Sequence, residues 1–261
     1  MTKLQKRFIG VAALVAVFFL SAVAGWAAID PSTVQKLVAG DGGWLDSFGH
    51  RVSVDGNIAV IGAEVHNAAY VFVRNGVGLW IQQAKLLPND GAASDYFGRS
   101  VSISGNTAVI GAFGNDDNGA DSGSAYVFVR NGVGLWTQQA KLLPNDGAAA
   151  DHFGGSVSVS GDTAVIAAND NDDNGDNSGS AYVFVRNGVG EWIQQAKLLP
   201  DNGAAEDGFG GSVSVSGNTA VIGASGNDDN GANSGSAYVF VRNGVGLWTQ
   251  QAKLLPNDGC D

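Results

Sequence analysis

Asp170, Asp172 and Asn174 alternate ahead of Gly175, and Ser178 follows three residues on. Oxygen donors at every second position can aim at one centre, and the glycine permits the bend around it. Ca2+ takes six to eight such oxygens, commonly from a run of this kind. Asp176 adds a carboxylate or a backbone carbonyl, and Ser178 stands where an acid is usual. Asp170, Asp172, Asn174, Asp176 and Ser178 are therefore the best candidate metal ligands. Weaker copies of the loop hold Asp116, Asn118 and Asp121, and Asp228 and Asn230, with Gly114 and Gly226 in place of Asp170. A second reading stands beside the first: Asp, Asn and Gly form tight, soluble turns whose side chains bond their own backbone. The sequence leaves both open. Soft metals are disfavoured, since no thiol or histidine lies near the loop in sequence. Asp95, Asp151 and Asp207 precede a Phe-Gly pair and are expected to accept backbone N–H bonds where a strand begins.

Trp80, Trp136, Trp192 and Trp248 recur at the start of a polar segment. They are candidates for an aromatic platform that takes sugars or peptide, or else they pack over the edge of each repeat. No enzyme is expected. His50, His66 and His152 fall at different places in the repeat, and no serine sits in a nucleophile elbow. Turns such as Asn131-Gly132-Val133-Gly134 precede a strand, not a helix, so they read as hairpins rather than phosphate cradles. A hydrolytic site assembled across several repeats is the remaining enzymatic alternative.

Repetition organises these residues. Phe97-Gly98, Phe153-Gly154 and Phe209-Gly210 are spaced by 56 residues, and Phe48-Gly49 precedes them by 49 because the first repeat lacks part of the acidic loop. Four strands are predicted per unit. Ser100 to Ser104 alternates polar and apolar, as a half-buried strand does. Thr107 to Ala112 is an apolar run suited to burial on both faces. Ala125 to Arg130 follows the acidic loop, and Asn131-Gly132 predicts a hairpin with positive φ at both residues. The segment from Leu135, which contains Lys141, reads as a polar outer edge strand. A Gly-rich four-stranded unit of this period predicts an all-β fold, a β-propeller of about four blades. The units run 46–94, 95–150, 151–206 and 207–261, after an N-terminal outer-strand segment at 29–45. Both ends of the chain offer an outer strand, so the ring is four-bladed with a loose end, or an open arc completed by self-association, or the array is a purely structural one or a fragment of a longer propeller.

Residues 1–28 carry Lys3, Lys6 and Arg7, an apolar run from Phe8, and an Ala22-Val23-Ala24 cleavage site. This is the layout of a signal peptide, with an uncleaved anchor as the alternative. The protein is expected to be secreted or displayed at the cell surface, with no membrane insertion after cleavage. The formal charge is −11, and loss of three basic residues with the signal leaves the mature chain near −14. Such a charge argues against nucleic acid as a partner. Cys260 is the only cysteine, so no disulfide forms within the chain.

Asp95 to Ala112 and Ser122 to Phe128, recurring along the chain, resemble the FG-GAP repeat of the integrin α N-terminal β-propeller. That resemblance implies an extracellular propeller used for cell adhesion or for binding a protein or glycan, often with Ca2+ in its loops. Here the GAP half survives only as Gly-Ala, and the acidic loop lies one connection later than in the integrin pattern. Calcium is thus not carried over by position.

Overall fold

The computed structural model describes residues 34–256. The expected signal peptide at 1–28 and Cys260 lie outside the described residues. Sixteen strands form four antiparallel sheets of four. The first blade holds β1 (Val52–Asp55), β2 (Ile58–Ala63), β3 (Ala68–Arg74) and β4 (Trp80–Leu86). The second holds β5 (Ser100–Ser104), β6 (Thr107–Ala112), β7 (Ser124–Arg130) and β8 (Trp136–Leu142). The third holds β9 (Val157–Ser160), β10 (Thr163–Ala168), β11 (Ser180–Arg186) and β12 (Trp192–Leu198). The fourth holds β13 (Phe209–Ser216), β14 (Thr219–Ala224), β15 (Ser236–Arg242) and β16 (Trp248–Leu254). Strand order follows chain order in every sheet, so each repeat is one blade of a four-bladed β-propeller. Among the described residues there is no α-helix, and none is long and apolar enough to cross a membrane. A 3-10 turn at Glu64–His66 replaces the acidic loop in the first blade.

The strands form where the pattern places them. In β5, Val101 and Ile103 are buried and Ser102 and Ser104 are not. Every residue of β6 is buried, which is why that run is apolar throughout. Gly105 turns the chain between them with φ 56°. The β7–β8 hairpin differs in detail from the expectation. Arg130 pairs with Trp136, leaving a five-residue loop. Positive φ falls on Gly134 (87°) rather than on Asn131 or Gly132. Asn131 Oδ1 instead accepts from the backbone N–H of Val133 and Leu135, at 3.1 and 2.9 Å, and this braces the longer loop.

The core is divided among the joints between blades. Phe97 is fully buried and meets Tyr126 and Phe128 edge-on, with ring centroids 5.4 and 5.9 Å apart. Its neighbour Gly98 and the Gly-Ala pair are small for a related reason. A Cβ on Gly111 would run into the carbonyl oxygen of Gly154 in the next blade. The Phe-Gly of one blade thus fits against the Gly-Ala of the blade before it. The inner strands β1, β5, β9 and β13 follow one another side by side, while no comparable contact returns from β13 to β1. The array is an open arc.

Candidate binding surface at the blade rim

The acidic loops are exposed, and their aspartates bond the loop's own backbone. Asp172 Oδ1 accepts from the N–H of Asn177 at 2.8 Å, and Asp116 and Asp228 accept likewise from Asp121 and Asn233 at 2.8 and 2.6 Å. The donating partner sits in the left-handed region in each case, with φ 53°, 52° and 51° at Asp121, Asn177 and Asn233. The Asn174 N–H donates to Ser178 Oγ, which donates to the carbonyl of Asn171, both at 3.1 Å. Asn118 and Asn230 reach the carbonyls of Pro144 and Pro256 at 3.3 and 2.9 Å. Asp176 is exposed, and its carbonyl accepts from Glu206 at 2.7 Å. Asp170 points away from the loop and bonds His152 Nδ1. Among the described residues no three His, Cys, Asp or Glu side chains gather where they could hold a metal. In this arrangement the oxygens of Asp172, Asn171 and Ser178 bond groups of the loop itself.

The remaining acids tie the loop to its surroundings. Asp95, Asp151 and Asp207 are buried and accept from the N–H three residues earlier, at 2.9, 2.8 and 2.9 Å. Each also accepts from a buried loop asparagine, Asn115, Asn171 or Asn227, at 3.3 to 3.4 Å. Asp173 meets Lys197 at 2.6 Å, and Asp146 meets the same ammonium at 2.7 Å. Lys197 lies over the Tyr182 ring, 5.0 Å from its centroid. Burial works against the lysine charge, but the two carboxylates outweigh it and hold its pKa above the ordinary lysine value. Burial pushes the Tyr182 hydroxyl up to about 12. Lys141 repeats the arrangement with Asp90 and Asp117.

The tryptophans lie at the joints. Trp136, Trp192 and Trp248 donate from Nε1 to Gln83, Gln139 and Gln195 of the preceding blade, each at 3.0 Å. Trp136 and Trp248 are buried, and Trp192 is half-buried beneath the Arg186 guanidinium. Trp80, with Leu37 and Ala39, packs against the cluster of Ile61, Ala63, Ala68, Tyr70 and Phe72 in the first blade. The indoles stitch outer strands together rather than share one open platform.

A different group of residues faces outward at the rim. The second, third and fourth repeats align without a gap, and at only two positions do all three differ: Tyr96, His152 and Gly208, and Phe113, Asn169 and Ser225. The residues that the second and third repeats carry there converge in space. Tyr96 stacks on Phe113 with centroids 5.0 Å apart and planes 18° apart. Phe113 meets His152 of the next blade edge-on at 5.3 Å, and Arg99 lies over the Phe113 ring at 5.3 Å. Arg99 also reaches Glu64 at 3.4 Å, which in turn meets His50 at 3.2 Å. Asp170 accepts from Asn169 at 2.5 Å on the far side. Arg51, Arg99, Phe113, His152 and Asp170 line a cavity of about 280 Å³. Tyr96 and His152 hold φ of 55° and 54°, where Gly208 occupies the equivalent place at 61°. Bulky residues in that region carry a cost that glycine avoids, and such strain gathers at functional sites. Apart from Asp170, no member of this group lies in a recognisable binding motif. Divergence between near-identical repeats is the sequence signal that finds it.

The FG-GAP repeat model matches residues 31–72, 80–128, 136–184 and 192–240. The chain belongs to the FG-GAP repeat family. No curated protein matches it. The crystal structure of a protein from Lactobacillus plantarum is similar at TM-score 0.50 and 14% identity, covering 78% of this chain and 56% of that one. The FG-GAP chain therefore spans just over half the length of that protein, and the likeness speaks to the fold alone. The computationally designed Ika4 protein has TM-score 0.43 and 15% identity, over 85% of this chain and 99% of that one, and carries no argument here.

Proposed function

We propose that this FG-GAP protein is an exported, non-enzymatic binding module that takes a protein or glycan ligand at the cell surface, on the rim around Tyr96, Phe113 and His152. One observation carries the reading: at the only positions that differ in all three long repeats, the residues of the second and third repeats meet at one place, and two of them hold strained backbone there. The chemistry suits a polar ligand with a flat face. Stacked aromatics offer a surface for a sugar ring or a peptide side chain. Arg51, Arg99 and Asp170 offer donors and an acceptor around it. Export rests on the layout of residues 1–28. Asp170 and His152 resemble the orienting half of a hydrolytic triad. The cavity they line contains no Ser, Thr or Cys, which supports binding over turnover. Calcium plays no part in this reading, because the acidic-loop oxygens already hold the loop.

The test is a glycan array and a surface-extract pull-down with the full chain, followed by titration of the captured ligand. Tyr96→Gly and His152→Gly install the residue that the fourth repeat carries at that position. Each is expected to weaken binding about tenfold or more, as loss of a central aromatic anchor does. Trp192→Phe, away from the rim, is expected to leave it unchanged. Binding that ignores the rim variants, or none to any surface extract, would make the chain a structural array instead.

A further inference from the structure

The three joints inside the array repeat one pattern, and the two outer faces of the array are the unmatched halves of that same pattern. At each joint, serines of one inner strand accept backbone N–H bonds from the next. Ser102 and Ser104 accept from Val159 and Gly161, both at 3.0 Å. Ser158 and Ser160 accept from Val215 and Gly217 at 3.0 and 3.1 Å. Ser53 accepts from Ile103 at 3.1 Å in the first joint. The apolar side of the joint is equally regular. Val60, Val109 and Val165 are fully buried, and Leu86, Leu142 and Leu198 are 2 to 3% exposed.

At the end of the fourth blade the pattern stops. Val221 is 37% exposed and Leu254 50% exposed, although their sequence surroundings match those of the buried counterparts. Ser214 and Ser216, the next acceptors in the series, are exposed. A Cβ on Gly223 would meet only Ser212 of its own blade, whereas one on Gly111 would strike the following blade. At the start of the first blade the complementary half is bare. Val52 and Val54 are 67% and 64% exposed, where Val101, Ile103, Val157 and Val159 are 6 to 8% exposed. Gly56, counterpart of the donors Gly161 and Gly217, is exposed as well.

We infer that a second copy of this chain covers the open face of the fourth blade, docking its first blade there head to tail. The surface that covers such a face is already present three times in the molecule: another blade of the same sequence. In the joint, Ser214 and Ser216 of one copy accept from Val54 and Gly56 of the other, and Val221 packs against Val52 and Val54. Leu37 and Ala39 already cover the outer half of the first blade. The inner strands therefore make the joint, and Leu254 meets the N-terminal segment. A contact between two different faces is heterologous, so it closes into a ring or extends into a filament.

Sedimentation velocity of the full chain across a concentration series tests this. Val221→Glu and Val54→Glu each place a charge on one exposed face without touching a joint inside the array, and matching melting curves confirm folding. Either variant alone is expected to be monomeric, with association weakened roughly 100-fold by a buried unpaired carboxylate. An equimolar mixture should form a dimer and stop, because each variant keeps the face that the other has lost. A wild-type chain that stays monomeric throughout the series overturns the inference. So does association that neither variant reduces, or a mixture that behaves as the sum of its parts.

Discussion

The acidic loops and the rim lie next to each other and teach opposite lessons. The loops are dense in charge and repeat almost letter for letter, yet their groups find partners within the fold: Asp172 on a backbone N–H, Asp173 on Lys197, Asn171 on Asp151. The rim is poorer in charge and differs from blade to blade, and its aromatic and basic groups line an open cavity. Conspicuous composition marks the part that holds the molecule together. Divergence between copies marks the part proposed to take a ligand.

The sharpest way to break this contrast is at the buried carboxylate beneath a loop. Asp151→Ala strands the amide of Asn171 in a buried setting and removes the partner of the Ala148 N–H. The expected cost is about 2 kcal/mol, from leaving buried donors unpaired. In a chain of this size that lowers the melting temperature by roughly 4–8 °C, read by calorimetry. A drop under one degree would mean that the loop is not held from below.

Asp172→Ala removes one bond to Asn177 N–H and is expected to cost about 1 kcal/mol. The loss should be the same in EDTA and in excess calcium. A wild-type melting temperature that climbs with calcium, and that Asp172→Ala flattens, would return the loop to the metal-binding reading and undo the contrast.

The smallest effect is expected at the rim. Tyr96→Gly relieves a left-handed backbone position but gives up a stack on Phe113. Each term is on the order of 1 kcal/mol and they oppose each other. Stability should therefore move by less than about 1 kcal/mol in a denaturant titration, where extrapolation to zero denaturant gives the free energy. A loss well beyond that would make Tyr96 a structural residue.

Much of the architecture was legible in the chain. Period-two alternation in Ser100–Ser104 and the apolar run Thr107–Ala112 define half-buried and fully buried strands, because local pattern and final burial agree there. The repeat then places them in blades. Turn geometry was less legible. Asn131-Gly132 has the residues of a two-residue hairpin, but the Arg130–Trp136 pairing sets a longer loop and shifts the positive φ to Gly134. The acidic loop was legible as a turn and ambiguous as a metal site. Its Asp173 reaches Lys197 and its Asn171 donates to Asp151, and bonds between segments leave no local trace.

By itself the sequence determined the four repeats, their strands and the membership in the FG-GAP repeat family, since all three rest on short-range pattern and spacing. Tertiary structure alone decided which copies of the same residue differ in fate. Val165 and Val221 sit in the same stretch, TAVI, and one is fully buried while the other is 37% exposed. Burial depends on whether another blade follows, and that is a property of the array rather than of the residue. The rim was decided in the same way: Tyr96, Phe113 and His152 come from two blades, and only the packing of one blade on the next brings them together.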